Sequence, residues 1–343
     1  MNAFYSLFLV FALILVALIG VQGAHLSSLF AIAIPYVAVA IFVVGFVRKV
    51  IGWAKSPVPF RIPTTGGQQK SFDWIEHNCI DNPSTVRGTI IRMFFEIFCF
   101  RSLFRNTKSV LYKEADGERP IVAYFSAKWL WAFALIFHYS FLVILLRHLR
   151  LFTEPVLGFV TGIEFVDGIM QIATPVMYMS DLMIIVGLLF LLGRRMFSGR
   201  IRYLSNAADF FALFLLLSIA LSGIYMRYFA KVDIIAIKEL TMGLVTFHPV
   251  IPENISASFY VHIFLVSVLF AYFPFSKLMH MGGVFLSPTR NMPNDNRFKH
   301  HENPWNNKVA PHSYAAYEDD FREAMVEAGL PVDKPLPAAD KQE

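Results

Sequence analysis

Four of the ten histidines sit in or beside two apolar runs: His138 and His148 in 129–149, and His262 and His280 in or just beyond 257–278. Ionisable groups are costly in hydrocarbon, and those within membrane spans usually face a bundle interior or a functional path. Neutral imidazole is an axial ligand for haem iron, and two imidazoles from facing helices can hold one haem inside a bundle. Two histidines on each of two helices is the set needed for two haem b groups. Zinc or copper fits less well, because no pair stands at i, i+3 or i, i+4 and carboxylate or thiolate co-ligands are missing. The bland alternative is a set of interfacial histidines, wetted at helix ends and free of metal. A related alternative class is a redox-inert membrane anchor, or a small transporter whose histidines relay protons.

These ligands need helices to carry them, and the composition supplies apolar ones. The 343 residues are 56% hydrophobic with a mean hydropathy of +0.53. Only 16% are charged, against roughly 25% in soluble domains. A bilayer core needs about 20 apolar residues per helical span, and six runs qualify: about 3–22, 28–47, 129–149, 173–192, 207–229 and 257–278. The expected fold is all-α: a polytopic membrane bundle of six transmembrane helices, with a cytoplasmic loop subdomain and an extended C-terminal tail. The first run lacks the basic n-region and cleavage site of a secretory signal, so it reads as a retained helix. The expected divisions are two helices in 1–47, a cytoplasmic connection with an amphipathic helix in 48–128, a four-helix haem-binding domain in 129–282, and a partner-docking tail in 283–343.

Charge sets the expected topology. Residues 48–127 hold twelve Lys/Arg against seven Asp/Glu, and 193–206 hold four arginines and no acid. The connections 23–28, 150–171 and 230–256 together hold only three Lys/Arg, namely Arg150, Lys231 and Lys238. Basic loops stay cytoplasmic, so both termini are expected there, in a multi-pass protein of the cytoplasmic membrane. The third span then runs outward and the sixth inward, which pairs His138 with His280 on the inner side and His148 with His262 on the outer side. The ten- and eighteen-residue intervals rise about 15 Å and about 27 Å on straight helices, so a kink expected at Pro274, or helix tilt, must absorb the difference.

Other polar residues are weighed against plainer roles. Arg147, Arg150 and Arg227 are candidate partners for haem propionates through charge-assisted bonds, or ordinary snorkelling cations. Asp181, about nine residues into the fourth run, either accepts a quinol proton or pairs with an arginine. His25 and His248, in outer connections, are proton-relay candidates or simply surface histidines. Met177 and Met179 read as packing. The stretch 89–104 has Arg92 and Glu96 one turn apart among bulky apolar residues, which suits a helix at the membrane interface or against a partner, or one buried in a small cytoplasmic subdomain. The two cysteines, Cys79 and Cys99, stand in no cluster, covalent-haem or zinc spacing. No phosphate-binding glycine loop or hydrolytic triad is present, and the basic balance reports topology, with no nucleic-acid partner expected.

At the histidines the sequence resembles the nitrate reductase gamma-type membrane cytochromes b, whose ligands recur at these two intervals, over roughly 129–281. A closer resemblance spans almost the whole chain. KSPVPFRIPTTGGQQK (55–70), FRSLFRNTK (100–108), LRHLRLFTEPV (146–156), KELTMGLVTFHPV (238–250) and FSKLMHMGGVFLSPTRN (275–291) look like the DsrM family, cytochrome b subunits of DsrMKJOP complexes in sulfur-metabolising prokaryotes. That resemblance implies two b haems and menaquinone as cofactors. It also implies a cytoplasmic iron–sulfur partner related to heterodisulfide reductase, further membrane and periplasmic subunits, and a place in dissimilatory sulfite reduction. The six expected spans depart from the five of the nitrate reductase subunit, so nothing outside the haem helices carries over from it.

Overall fold

The computed structural model describes residues 2–56, 67–113, 120–170, 175–297 and 311–336. The protein is a polytopic membrane helix bundle. Among the described residues, five helical stretches are long and apolar enough to cross a bilayer: Asn2–Gly23, Leu29–Ala54, Lys128–Leu151, Ala207–Ala230 and Ala257–Phe275. The regular parts of the first two are α1 (Asn2–Leu18) and α2 (Ile34–Ala54). Large apolar side chains such as Phe4, Phe8 and Val44 point outward from them, the inverse of a soluble protein and the arrangement lipid requires.

The connection that follows carries α3 (Val86–Cys99) and the short α4 (Arg101–Arg105), separated by Phe100 in a left-handed conformation (φ 49°). Next comes an antiparallel hairpin, β1 (Thr107–Lys113) with β2 (Pro120–Ser126), which the sequence reading did not anticipate. Then follow α5 (Lys128–His148), α6 (Gly158–Asp167), and a small ladder of β3 (Gly168–Met170) with β4 (Met177–Tyr178). This ladder occupies the start of the fourth apolar run, so its helix, α7 (Met179–Phe197), begins later than expected. Asp181 consequently stands in the first turn of a 19-residue helix, not nine residues inside one. Residues 173–174 of that run, with 171–172 before it, lie outside the described residues.

The short α8 (Gly199–Leu204) leads to α9 (Ala207–Ile224), whose start is fixed by a capping box between Asn206 and Asp209. After α10 (Ile234–Val245) comes α11 (Ala257–Tyr272). The expected kink at Pro274 is a full break. The chain passes through a tight turn at Phe273–Phe275, an extended Ser276 and a second tight turn at Lys277–Met279 before α12 (His280–Leu286) begins. Proline removes a helix donor and crowds the preceding turn, and Ser276 caps the new turn by accepting from the Leu278 amide at 3.2 Å. Two contacts hold the break in place. Lys277 donates to Asp209 at the start of α9 at 2.7 Å, and Gly45 of α2 leaves room for Pro274, whose Cβ would be 2.8 Å from a Cβ at position 45.

Helix α5 packs on α7, α7 on α9, and α9 on both α1 and α11, with α2 covering α11. The main core lies among α1, α9, α10 and α11, with Val10, Ala17, Phe30, Leu215, Leu240 and Leu265 buried. A smaller core of Ile184, Leu188 and Leu216 joins α7 to α9. After α12, a single turn α13 (Pro288–Asn291) brings the chain back to the 67–106 connection. There the wholly buried Asn294 donates its backbone amide to the Pro83 carbonyl at 2.7 Å and its side chain to Asn82 at 2.6 Å.

Residues 300–343 form a separate compact unit. Its described part holds α14 (Tyr314–Glu327), capped by Ser313. Glu318, 1% exposed, accepts the backbone amides of Asp333 at 2.7 Å and Lys334 at 2.8 Å, closing residues 333–334 onto the helix.

Candidate haem sites

Helix α5 supplies His138 and His148, α11 supplies His262 and α12 opens on His280, and the structure brings the four together in two pairs. The ring centroids of His138 and His280 are 6.1 Å apart with planes at 85°. Those of His148 and His262 are 6.5 Å apart with planes at 10°. A metal–imidazole bond of about 2.0–2.1 Å on each side of one ion, plus the radius of each ring, puts two such centroids about 6.3 Å apart. Both separations therefore fit one iron between two imidazoles. Among the described residues no group of three or more His, Cys, Asp or Glu side chains gathers at either place, so further ligands to the metal would come from a macrocycle.

All four rings have one nitrogen occupied. The Nδ1 atoms of His138 and His148 lie 2.7 Å from the carbonyls of Ala134 and Ile144, one turn earlier on α5. His280 Nδ1 lies 2.8 Å from the Lys277 carbonyl. His262 Nδ1 lies 2.8 Å from the Ser222 hydroxyl on α9, which itself donates to Ile219 O at 2.9 Å. A carbonyl only accepts, so Nδ1 carries the proton and Nε2 keeps its lone pair, the tautomer that ligation requires. The residues present thus fit a bis-imidazole haem at each pair.

The helix break answers the mismatch between the two intervals. Because His280 opens α12 after two tight turns, the eighteen residues do not climb a continuous helix. The contacts at Asp209 and Gly45 set where the ring arrives. Around the other ring of this pair, Phe137 of α5 and Phe100, between α3 and α4, place ring edges against His138, at centroid distances of 4.9 Å and 5.0 Å. Gly187 lets α7 approach α5 at Phe137, where a Cβ would stand 3.1 Å from the Phe137 Cα.

Beside His148 lies a buried ionic network. Arg147, 8% exposed, donates to Asp167 at 2.5 Å, to Ser180 at 2.9 Å and to Asp181 at 3.2 Å. Asp181 also accepts from Tyr228 at 2.7 Å. Each charge has a partner, which buried ions require, and the network ties the end of α5 to α6, α7 and the extension of α9. Arg150 is paired with Glu164 at 2.9 Å. Arg227 differs: it donates to the Val176 carbonyl at 3.1 Å and lies 4.2 Å from the Tyr178 ring, whose other contact is Arg147 at 3.6 Å. Among the described residues Arg227 has no carboxylate partner. Of the three arginines singled out from sequence, it is the cation left for an anionic group.

His25 and His248 are exposed, with His248 Nδ1 at 2.7 Å from its neighbour Thr246 O. Neither joins the pairs. Ser222 and Asp167 are the site residues that sequence reasoning missed. A serine in an apolar helix and an acid at a loop edge carry no signal until α9 and α6 are placed.

A model of the nitrate reductase gamma subunit family matches residues 122–291, which include all four histidines. An Hdr-like menaquinol oxidoreductase cytochrome b-like subunit of Archaeoglobus fulgidus is 49% identical over 293 residues, covering 83% of this chain and 86% of its own length. Its counterpart in Archaeoglobus profundus is 44% identical over 280 residues, covering 80% and 81%. With this likeness over four-fifths of both chains, and with its histidine-bearing helices inside the nitrate reductase gamma match, the protein belongs to the family of Hdr-like menaquinol oxidoreductase cytochrome b-like subunits.

Proposed function

We propose that the chain is the dihaem cytochrome b subunit of a menaquinol-oxidising membrane complex, passing electrons to a cytoplasmic iron–sulfur subunit of the heterodisulfide reductase type. The observation that carries this reading is the pair of imidazole pairs, each at a separation suited to one iron and each with Nδ1 occupied. The names of the two relatives support menaquinol as the electron donor. The DsrM resemblance adds dissimilatory sulfur metabolism, with further membrane and periplasmic subunits in the same assembly. In this reading both termini are cytoplasmic, and the His138–His280 pair is on the inner side.

When bound, each haem would supply one-electron redox chemistry. The protein's part is to hold and tune. His138, His280, His148 and His262 would ligate, and their carbonyl and hydroxyl partners fix the rings. Arg227, whose guanidinium bonds the Val176 carbonyl but no carboxylate among the described residues, would pair with a propionate of the His148–His262 haem. Arg147 and Arg150 instead brace the end of α5 through Asp167, Asp181 and Glu164. Asp181 is committed to Arg147 and Tyr228, so its part is to hold this network and not to accept a quinol proton.

The test is the reduced-minus-oxidised absorption spectrum of the purified full chain, with haem extracted and counted. Two b-type haems per chain that dithionite reduces are expected. A chain that folds in lipid and carries no haem would leave only an anchor or proton-relay role.

A further inference from the structure

Residues 86–105 present their polarity inside out. Val86, Ile90, Phe94 and Phe98 follow one another at four-residue spacing on α3, and with Ile91 they are between 50% and 66% exposed. The opposite face is polar and buried: Thr89 is 5% and Arg92 2% exposed. Arg92 donates to the Arg290 carbonyl, and Glu96 accepts from Arg290 at 3.4 Å and from the Ser102 hydroxyl at 2.5 Å. A helix on a water-soluble subdomain turns its apolar stripe inward and its charges out. This one does the reverse, the arrangement that suits hydrocarbon outside and protein inside.

The depth of the segment agrees. Its turn is fastened to α5 well inside the span Lys128–Leu151. Trp131 Nε1 donates to the Cys99 carbonyl at 2.7 Å, Tyr139 OH donates to the Phe98 carbonyl at 2.9 Å, and Phe100 rests on His138. Trp131 and Tyr139 are three and eleven residues beyond Lys128, roughly 5 and 17 Å along the helix axis. The chain then returns toward the Lys128 end, with Phe104 against Trp131 at 4.9 Å and the Lys128 amine 5.6 Å from the Phe104 ring.

Irregular backbone at membrane depth must satisfy its polar groups within the protein. Here the Phe100 amide bonds Phe95 O, the Phe104 amide bonds Phe100 O, and the Ser102 amide bonds the Glu96 carboxylate. With the two carbonyls held by Trp131 and Tyr139, the turn is closed. The charges on the returning limb, Arg101 and Arg105, both pair with Asp81.

We infer that residues 86–105 form a re-entrant membrane segment: α3 enters the bilayer, turns at Phe98–Phe100 beside His138, and leaves through α4. Its exposed apolar stripe lies against lipid acyl chains. The occupant is lipid and not a protein partner because the stripe reaches the depth at which α5 itself meets hydrocarbon; Tyr139, which holds the turn, is 45% exposed at mid-span. The segment thereby lines the His138–His280 site and separates it from water on that side.

The native cysteines provide the test. In the full chain reconstituted in nanodiscs, Cys79→Ser leaves Cys99, exposed at the turn, as the single thiol for a nitroxide. Collision with oxygen is expected to exceed collision with a water-soluble nickel chelate. The same ordering is expected for Phe94→Cys on a chain with both native cysteines changed to serine. Asp73→Cys in that background is the aqueous reference and should show the opposite ordering. The inference fails if the probes at 94 and 99 meet the nickel chelate as readily as the one at 73, which would put the stripe in water. It also fails if both probes are shielded from oxygen and chelate alike, which would mean a protein cover.

Discussion

At the residue scale, the two histidine pairs differ in ways that measurements can separate. Of the four proposed ligands, His262 is the one whose Nδ1 bonds a side chain, Ser222, from another helix; the other three bond backbone carbonyls close in their own chain segment. Ser222→Ala is therefore expected to loosen the His262 ring and lower its basicity. The reduction potential of the His148–His262 haem should rise, its retention should weaken by about 10-fold or more, and the other haem should keep its potential. Redox titration of the variant checks this. The four histidines were legible in the sequence as candidate ligands because residue type and spacing are sequence properties. Ser222 was not, because its role depends on a contact across 40 residues. The arginines were legible only as a group: Arg147 and Arg150 flank His148 but are taken by Asp167, Asp181 and Glu164, which only the packing of α6 and α7 reveals.

At the element scale, the break between α11 and α12 decides whether two haems can be held by these helices. Proline at 274 was a legible signal, but a kink and a break are not distinguished by one residue. The break is stabilised from outside, by Lys277 on Asp209 and by the small residue at 45. Gly45→Val is expected to push Pro274 away, destabilise the protein by about 1–3 kcal/mol through overpacking, and displace His280 while leaving His262 in place. Spectra of the variant should show the His138–His280 haem perturbed or lost and the other retained. The hairpin of β1 and β2 was missed for a different reason. It is short, lies in a basic connection, and its alternation is too brief to stand out beside the long apolar spans.

At the scale of the whole molecule, the apolar runs made the bundle legible, since a bilayer leaves few alternatives to spanning helices. The C-terminal unit was less so, because its order rests on one buried carboxylate and not on an apolar core. Backbone amides of Asp333 and Lys334, the first the larger cause, hold Glu318 below its ordinary value of 4.5. With the folded pKa depressed, this stabilisation is complete above the unfolded value and is lost as pH falls through the folded one. Limited proteolysis should therefore cut near 331–336 faster on acidification, and Glu318→Gln should give fast cleavage already at neutral pH with the spans intact. The central claim, two haems on two distinct histidine pairs, is tested most directly by low-temperature electron paramagnetic resonance of the oxidised full chain. Imidazole planes at 85° and at 10° predict two low-spin ferric signals: one strongly axial with the larger maximal g value, and one rhombic. His280→Ala should remove the axial signal alone, and His262→Ala the rhombic one alone; absence of low-spin signals, or loss of the same signal in both variants, would contradict it.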